Sequence, residues 1–183
     1  MDGITVPQSM QEAQPIDGRT LRRVCGLFVT GVTVITTGVD DRATGTTVNS
    51  FTSVSLEPPL VLFCLHERSR LHEVLEETGS FAVNFLASRQ ERLARAFAGR
   101  HTAGFDDVAY HRSALGVPIL SEALAFLACA IVDRFPGGDH SIIVGRVEEL
   151  GTPRQRRQPL IFFEGSLGSL EEEHRPSHPI WAG

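Results

Sequence analysis

Hydroxyl and amide side chains are concentrated in one short stretch of the chain, which a double proline, Pro58-Pro59, follows closely. Seven of the eleven residues from 45 to 55 carry such groups: Thr46, Thr47, Asn49, Ser50, Thr52, Ser53 and Ser55. The stretch is too polar for a core strand and too rich in β-branched residues for a helix. An extended segment with many hydrogen-bonding groups is suited to lining a long polar ligand that carries phosphates. The alternative is an exposed edge strand, rich in Thr and Ser because it is solvated.

A flavin nucleotide is such a ligand, because it combines a flat apolar ring with a hydroxylated ribityl chain and a charged phosphate. Thr47, Asn49 and Ser50 could meet the hydrogen-bonding edge of the ring. Thr52, Ser53 and Ser55 could bind the ribityl and phosphate oxygens. We therefore interpret the segment as half of a flavin site.

Ser69-Arg70 stands at the predicted start of a helix. Unpaired N–H groups, the helix dipole and a guanidinium suit a phosphate at such a place. The alternative is an ordinary capped surface helix.

A histidine, His140, follows the predicted turn Pro136 to Asp139. An imidazole at a loop tip can reach a neighbouring cavity, either to bind a nicotinamide or flavin or to move a proton. The alternative is a histidine that bonds its own loop. The other six His residues show no metal-ligand spacing, so the sequence predicts no metal site.

Other candidate residues carry weaker signals. Phe97 and Phe105 flank a loop and could cover an aromatic ring, although single aromatics more often belong to a core. Cys64 lies in an apolar run and is better interpreted as a packing residue than as a thiolate. The chain contains no Gly-x-Gly-x-x-Gly, so a Rossmann dinucleotide site is not supported.

The elements that must position these residues are mostly strands. Helices are predicted from Thr20 to Val29, from an N-cap at Ser69 to Thr78 with Gly79 as the stop, and after a capping box formed by Ser88 and Glu91. Strands are predicted over residues 31–37, 60–65, 81–86, 124–135, 141–150 and 159–163, with 60–65 buried on both faces. Six or seven strands with three short helices favour a β-rich barrel over a parallel α/β sheet.

Length and composition limit the possible domain organisation and the possible partners. A chain of 183 residues is most simply one domain; we divide it into a flexible segment 1–17, a domain 18–170 and a tail 171–183. The net charge of −5 argues against nucleic acid as a partner, although Arg154, Arg156 and Arg157 form a local patch that could receive a 2′-phosphate or simply be solvated. No window approaches the ~18 apolar residues of a membrane span.

The cysteines point to a compartment. Cys25, Cys64 and Cys129 are widely spaced among apolar neighbours, which fits neither a zinc site nor a disulfide framework. The cytoplasm, a reducing compartment, is the expected location.

Taken together, these pieces resemble the short-chain flavin reductase family, the reductase components of two-component flavin monooxygenases. The resemblance covers about residues 20–168. Its motifs are Phe28 to Thr37, Thr47 to Leu60, Phe81 to Asn84, Phe105, Gly116 to Leu120, Gly138 to His140, Gly145 to Val147, and Pro159-Leu160.

The resemblance implies a fold and an activity. The fold would be a Greek-key split β-barrel that binds flavin and forms a homodimer with the flavin near the subunit interface. The activity would be hydride transfer from NADH or NADPH to FMN or FAD, and the reduced flavin would diffuse to a partner monooxygenase. Two alternatives stay open: a retained flavin that acts directly on an organic substrate, and a flavin-binding protein without enzymatic activity.

The resemblance also implies site residues. On the nicotinamide side it implies His140 and the strand end Phe162, Phe163, Glu164 and Gly165. Family members often carry an aromatic two residues after that glycine, where this chain has Leu167. The implied flavin contacts are Thr47, Val48, Asn49, Ser50, Ser53, Val54, Ser55, Cys64, Leu65, His66, Ser69, Arg70 and Phe97.

Overall fold

A computed structural model describes residues 16–38, 42–98, 105, 107–152 and 157–170. The expectations for residues 1–15, for the tail 171–183, and for Arg154 and Arg156 lie outside these described residues. None of the helices in the described part of the chain has the length and apolar character needed to cross a membrane.

The described chain is mainly β, as predicted. Its helices are α1 (Gly18–Cys25), α2 (Leu71–Thr78) and α3 (Glu91–Phe97), and a 3-10 turn, Ser88–Gln90, precedes α3. Its strands are β1 (Thr30–Gly31), β2 (Thr33–Thr37), β3 (Thr44–Val48), β4 (Thr52–Leu56), β5 (Pro59–His66), β6 (Ser80–Phe85), β7 (Tyr110–Arg112), β8 (Pro118–Leu120), β9 (Ala125–Gly137), β10 (His140–Gly151), β11 (Leu160–Phe163) and β12 (Ser166–Ser169).

Seven of these strands form one antiparallel sheet in the order β3-β2-β6-β9-β10-β5-β4. The two edge strands, β3 and β4, are consecutive in the chain, and only residues 49–51 separate them. Four residue steps span about 14 Å at most, whereas the edges of a flat seven-stranded sheet lie about 29 Å apart. The sheet must therefore curl until its edges approach each other, which produces a barrel-like closure.

Ser50 fastens this closure. Its Oγ donates to the carbonyl of Cys64 at 3.2 Å and accepts from the N–H of Cys64 at 2.9 Å. The connection between the two edge strands is thereby bonded to β5. We name residues Asn49 to Phe51 the closure loop.

The main core fills the curled sheet. It includes Phe63 and Phe81, whose rings meet edge-on with centroids 5.0 Å apart. On β5, Val61, Phe63 and Leu65 face this core, whereas Leu62 and Cys64 on the opposite face are half-buried. The prediction that residues 60–65 are buried on both faces is therefore wrong. Within the part of the chain that the structure describes, no second layer packs fully over the opposite face.

The side chain of Asn84 forms hydrogen bonds that join strands inside the fold. It is fully buried on β6, donates to the Val34 carbonyl at 3.1 Å and to Thr36 Oγ1 at 3.0 Å, and accepts from the Leu120 N–H at 2.8 Å. These bonds satisfy the amide and hold strands β2, β6 and β8 in one arrangement.

Two helix boundaries differ from the prediction. Helix α1 ends at Cys25 rather than at Val29, because the Gly26 N–H caps it and the chain then turns into β1. Helix α2 ends at Gly79 as predicted, with a φ of 62° and its N–H bonded to the Leu75 carbonyl. At its start, Ser69 Oγ accepts from the Leu71 N–H at 3.3 Å, but the helix begins at Leu71, one residue later than an N-cap at Ser69 predicts.

The predicted capping box is wrong. Gln90, not Glu91, reaches back, and its Oε1 accepts from the Ala87 N–H at 2.9 Å. Glu91 instead pairs with Arg95 one turn along α3 at 2.7 Å. The 3-10 turn before α3 shifts the register by one residue, so the spacing in the sequence indicated the wrong side chain.

Two turns also differ from the prediction. The β9–β10 hairpin has a two-residue turn, Gly138-Asp139, because β9 continues through Pro136 to Gly137. The chain continues past β11 through the turn Glu164-Gly165, both at positive φ, into β12, a strand that the sequence did not predict.

We expect Ser50→Ala to destabilise the fold by about 1–2 kcal/mol, because it removes both bonds to Cys64 and leaves partly buried backbone groups unpaired. Ser53→Ala is the control, since Ser53 is exposed on β4, and it should change stability by less than about 0.5 kcal/mol. Urea unfolding of both variants measures the difference. Equal stabilities of the two variants would show that Ser50 does not fasten the closure.

Candidate functional site

Two clefts meet at the closure loop. The larger, about 660 Å³, lies between the segment after α1 and the closure loop, and Phe28, Thr30, Phe51 and Leu160 are among its walls. The smaller, about 270 Å³, is bounded by Thr47, Val48, α3 and the β11–β12 hairpin. Asn49 lines both clefts. A long ligand could therefore cross from one cleft to the other past a single amide.

The polar side chains at this junction have different tasks. Asn49 is exposed, and its amide forms no hydrogen bond with any residue in the described ranges, so it can bond a ligand. Thr47 Oγ1 donates to the Ala94 carbonyl at 2.8 Å and so joins β3 to α3. Ser50 Oγ both donates a hydrogen bond to the Cys64 carbonyl and accepts one from the Cys64 N–H. Thr47 and Ser50 thus hold the walls in place, and Asn49 is the group presented to the clefts.

Strand β4 places Ser53, Val54 and Ser55 at the edge of the sheet. It pairs with β5 alone among the described strands, and its register shifts between Ser53 and Ser55. Val54 is 48 % exposed at this bulge. The edge-strand interpretation of the polar segment is therefore correct for residues 52–56. An edge strand still offers unpaired backbone donors and acceptors to a ligand or a partner.

His66 and His140 face each other at the far end of β5 and β10. They are register partners, and their rings lie edge-on with centroids 5.1 Å apart. The Arg68 N–H donates to His66 Nδ1 at 3.0 Å. His140 Nδ1 lies 2.7 Å from Asp139 Oδ1. Because the carboxylate can only accept when ionised, His140 Nδ1 carries a proton and Nε2 of the neutral ring has a free lone pair.

This histidine pair lies outside the linings of both clefts. It is joined to the closure loop through β5, because Cys64, which Ser50 binds, and His66 point to the same face about 7 Å apart along the strand. The structure thus places Thr47, Asn49 and Ser50 at the clefts, and it places the predicted catalytic histidine at a separate position, farther along β5 and β10.

Ser69 and Arg70 follow His66 at the start of α2. Ser69 Oγ already accepts from a helix N–H, which leaves less of the helix start for a phosphate. Arg70 is exposed and forms no ion pair within the described ranges. Arg70 therefore remains the better candidate for the predicted phosphate contact.

Leu65 and Phe97 contribute their side chains to the core instead. Leu65 is 2 % exposed in the main core. Phe97, also 2 % exposed, packs beneath β3 in a second cluster, with its ring centroid 5.3 Å from that of Phe105. A ligand can contact Leu65 only through its backbone, and neither cleft is lined by the ring of Phe97.

The predicted nicotinamide segment forms the β11–β12 hairpin. Phe162 and Gly165 line the smaller cleft, and so does Leu167, the residue at which this chain departs from the family pattern. Phe163 is 41 % exposed. The Glu164 N–H donates to the Gly26 carbonyl at 2.9 Å and ties this hairpin to the end of α1.

The sequence did not indicate several wall residues. Phe28, Thr30 and Arg95 line the clefts, although none was predicted as a site residue. Phe28 and Thr30 belong to a segment that resembles the family. That resemblance could have indicated them as site residues. Nothing in the i,i+4 pair Glu91–Arg95 distinguishes Arg95 from an ordinary surface arginine. Asp139 lies in the motif Gly138 to His140, but the sequence indicates no role for it.

The larger cleft suits a flavin ring. Its volume lies within the range of small-molecule sites, and Phe28, Phe51 and Leu160 provide apolar walls beside the Asn49 amide. That combination matches a flat apolar ring with one hydrogen-bonding edge. In the described residues no group of three or more His, Cys, Asp or Glu side chains is arranged to hold a metal ion.

The contribution of the contact between Asp139 and His140 can be tested through the pH dependence of stability. The hydrogen bond with His140, and then the charge of that ring, hold the pKa of Asp139 below its ordinary value of 3.8. A lowered folded-state pKa gives stability that is present above the ordinary value and is lost as pH falls through the lowered one. Asp139→Asn should therefore be less stable than the unsubstituted protein at pH 7, and the difference should shrink below about pH 4.

Urea unfolding between pH 7 and pH 3 measures this difference. The control is Asp133→Asn, because Asp133 is exposed and, among the described residues, accepts a hydrogen bond only from the neighbouring Arg134 N–H. If both variants show the same pH profile, the Asp139–His140 contact does not contribute.

Comparison with known proteins identifies the family. The family described as "Flavin reductase like domain" matches residues 25–171. The chain is 40% identical over 165 residues to the reductase subunit of a flavin-dependent monooxygenase from Mycobacterium tuberculosis, covering 89% of this chain and 88% of that protein. It is 42% identical over 155 residues to an NADH-dependent flavin reductase from Rhodococcus, covering 82% and 85%.

A solved structure agrees with this assignment. An NADH:FAD oxidoreductase of Streptomyces globisporus, in complex with NAD and FAD fragments, superposes with a TM-score of 0.81 at 39% identity, over 89% of this chain and 100% of the other. The curled sheet with its closure loop is thus the fold of known flavin reductases. The chain belongs to the flavin reductase family.

Proposed function

We propose that this protein is an NADH:flavin oxidoreductase that reduces flavin and releases it to a partner monooxygenase. Family membership carries the proposal, together with the cleft in which apolar walls surround the Asn49 amide. Its relatives include both a monooxygenase reductase subunit and an NADH-dependent flavin reductase. NADH is accordingly the proposed donor, in the reducing cytoplasm that three free cysteines suit; recovery of the protein outside the cytoplasm on cell fractionation would contradict this location.

The chemistry requires positioning more than acid or base groups. When bound, the nicotinamide supplies a hydride and the flavin accepts it. The protein must bring the two rings together, because orientation supplies much of the rate in such transfers. Phe28, Phe51 and Leu160 give the larger cleft apolar walls against which a flat ring can lie, and Asn49 can orient the ring edge from the junction of the clefts.

Asp139 and His140 have a second positioning task in this proposal. The Asp139 carboxylate fixes the ring of His140 with its proton on Nδ1. The free lone pair on Nε2 can then accept a hydrogen bond, for example from the carboxamide N–H of the nicotinamide, or hold a proton. His66 contacts the same ring edge-on and limits its rotation.

An activity assay tests the proposal. Stopped-flow absorbance at the flavin band should show flavin reduction by NADH with either FMN or FAD. His140→Ala should raise the KM for NADH or slow hydride transfer by about 10-fold or more, as loss of a positioned donor or acceptor typically does. His111→Ala is the control, since His111 is exposed on β7 and takes no part in the contacts that His140 makes with Asp139 and His66.

Other results of these assays would favour one of the alternative functions or remove His140 from the site. A flavin that is reduced but stays with the protein through filtration favours a retained prosthetic group. Tight flavin binding without NADH oxidation favours a binding protein. Unchanged steady-state and single-turnover rates in His140→Ala would remove His140 from the proposed site.

The homodimer that the family resemblance implies is also proposed here. Helix α1 has an apolar face in which Leu21 and Val24 are 54% and 57% exposed, and Leu27 and Phe28 continue it. None of the α1 residues is buried within the chain. A second copy would cover this surface and remove it from water.

Sedimentation equilibrium should give twice the 20.0 kDa chain mass. Leu21→Gln with Val24→Gln should shift the protein toward monomer and leave monomer folding unchanged, since both side chains are exposed. An unsubstituted protein that is monomeric at micromolar concentration would contradict the proposal.

A further inference from the structure

A third cavity lies where the loop between β8 and β9 meets the end of β10, and it shares no lining residue with either cleft. Residues 121–123 of that loop line it, and we name it the β8–β9 pocket. Its volume is about 270 Å³, slightly below the range of about 300–1,000 Å³ that is usual for drug-sized ligands. The pocket therefore suits a small molecule.

Phe126 provides an aromatic wall of the β8–β9 pocket. Its register partner on β10 is Gly151, and a Cβ added at Gly151 would lie 2.5 Å from Phe126 Cε1. The ring therefore lies across the Gly151 backbone, in space that a larger residue would fill. Because Phe126 is half-buried, part of its side chain remains open to the pocket. A flat apolar group can pack against such a ring.

Arg157 gives the β8–β9 pocket its charge. Its Nη1 donates to the Glu122 carbonyl at 2.5 Å, which is a neutral acceptor. The Glu122 carboxylate pairs with Arg89 at 2.9 Å instead. Arg157 thus has no carboxylate partner among the described residues, and residues 153–156, outside the described ranges, contain no acidic side chain. A guanidinium has five N–H donors, so Arg157 retains donors for an anion.

The loop beside Arg157 is held in an unusual backbone conformation. Glu122 has a φ of 65°, in the left-handed region that residues other than glycine rarely adopt. Its carbonyl is bonded to Arg157 and its carboxylate to Arg89, so the residue is held at both ends. Such conformations persist where the surrounding contacts enforce them, and they are concentrated at ligand sites.

Ser121 adds a hydroxyl group to the same loop. Its N–H donates to the Ala109 carbonyl at 2.8 Å, and its carbonyl accepts from Gln90 Nε2 at 3.3 Å. The Ser121 hydroxyl forms no hydrogen bond within the described ranges. The backbone is therefore fixed on both sides, and the hydroxyl can bond a ligand oxygen.

We propose that the β8–β9 pocket binds a small carboxylate with an apolar ring, at a site separate from the two clefts. The ring packs against Phe126, and Arg157 binds the carboxylate through two parallel N–H bonds. One guanidinium without an acidic partner matches one negative charge. The proposal does not depend on the proposed function, because the pocket and the clefts have no lining residue in common.

Ligand-observed NMR titration of the full chain tests this site, with benzoate as the probe and benzamide as its neutral analogue of the same shape. Benzoate should bind, and benzamide should bind roughly tenfold more weakly because it lacks the charge that Arg157 pairs with. Arg157→Gln should weaken benzoate binding by the same roughly tenfold factor and leave benzamide binding unchanged. The charge-matched control is Arg92→Gln, exposed on α3 and outside the pocket, which should stay within about twofold.

Two further measurements locate the benzoate. Ser121→Leu fills the pocket without changing its charge and should abolish binding, and urea unfolding of this variant and of Arg157→Gln checks that both remain folded. An excess of FMN should not displace benzoate from the unsubstituted protein, because the flavin cleft is a different cavity.

Four results overturn the proposal. They are no saturable benzoate binding at millimolar concentration, equal affinity for benzoate and benzamide, displacement of benzoate by FMN, and equal benzoate affinity in Arg157→Gln and Arg92→Gln. The comparison with benzamide and the displacement by FMN need no variant. Absence of NADH oxidation contradicts the proposed function instead and leaves the benzoate titration unaffected.

Discussion

The structure depends on one geometric constraint, which is that the two edges of a seven-stranded sheet are joined by three residues. Antiparallel pairing would otherwise leave β3 and β4 on opposite sides of the molecule. Because the chain cannot span that distance, the sheet has to curl around the core of Phe63 and Phe81. The Ser50–Cys64 bonds then fix the position at which the edges approach each other. The interior, the clefts and the shape of the outer face all follow from this closure.

The closure also explains why the polar segment is polar. Asn49 and Ser50 cross the gap between the two edges, where the backbone needs hydrogen-bond partners, and Thr47, Thr52, Ser53 and Ser55 lie on the two edge strands beside it. Thr47 and Ser50 supply some of these bonds within the protein, and Asn49 is left facing both clefts. The same residues thus stabilise the fold and shape the site. Substitutions here affect stability and ligand binding together, which makes a matched stability measurement necessary for each variant.

Local features were predictable where the signal is local. Gly79 at a positive φ ends α2 as expected, and the long hydrophobic strands β9 and β10 are paired across a glycine turn. Predictions failed where a neighbour in space decided the outcome. Gln90 replaced Glu91 because a 3-10 turn changed the register, and the apolar residues of α1 are exposed because none of the other described segments covers them. Periodicity indicates an apolar face but not what buries it.

The sequence by itself determined the class of the fold, the family and the chemistry, because alternation, turn residues and ordered motifs are properties of consecutive residues. Only the tertiary structure decided which polar groups are free. Asn49, Ser50 and Thr47 look equivalent in sequence, yet Cys64 and Ala94, distant along the chain, engage two of them. Likewise, Phe126 and Arg157, distant along the chain, line one pocket only because the fold brings them together. Hydrogen bonds and cavities are made between segments, and the closure of the sheet determines which segments meet.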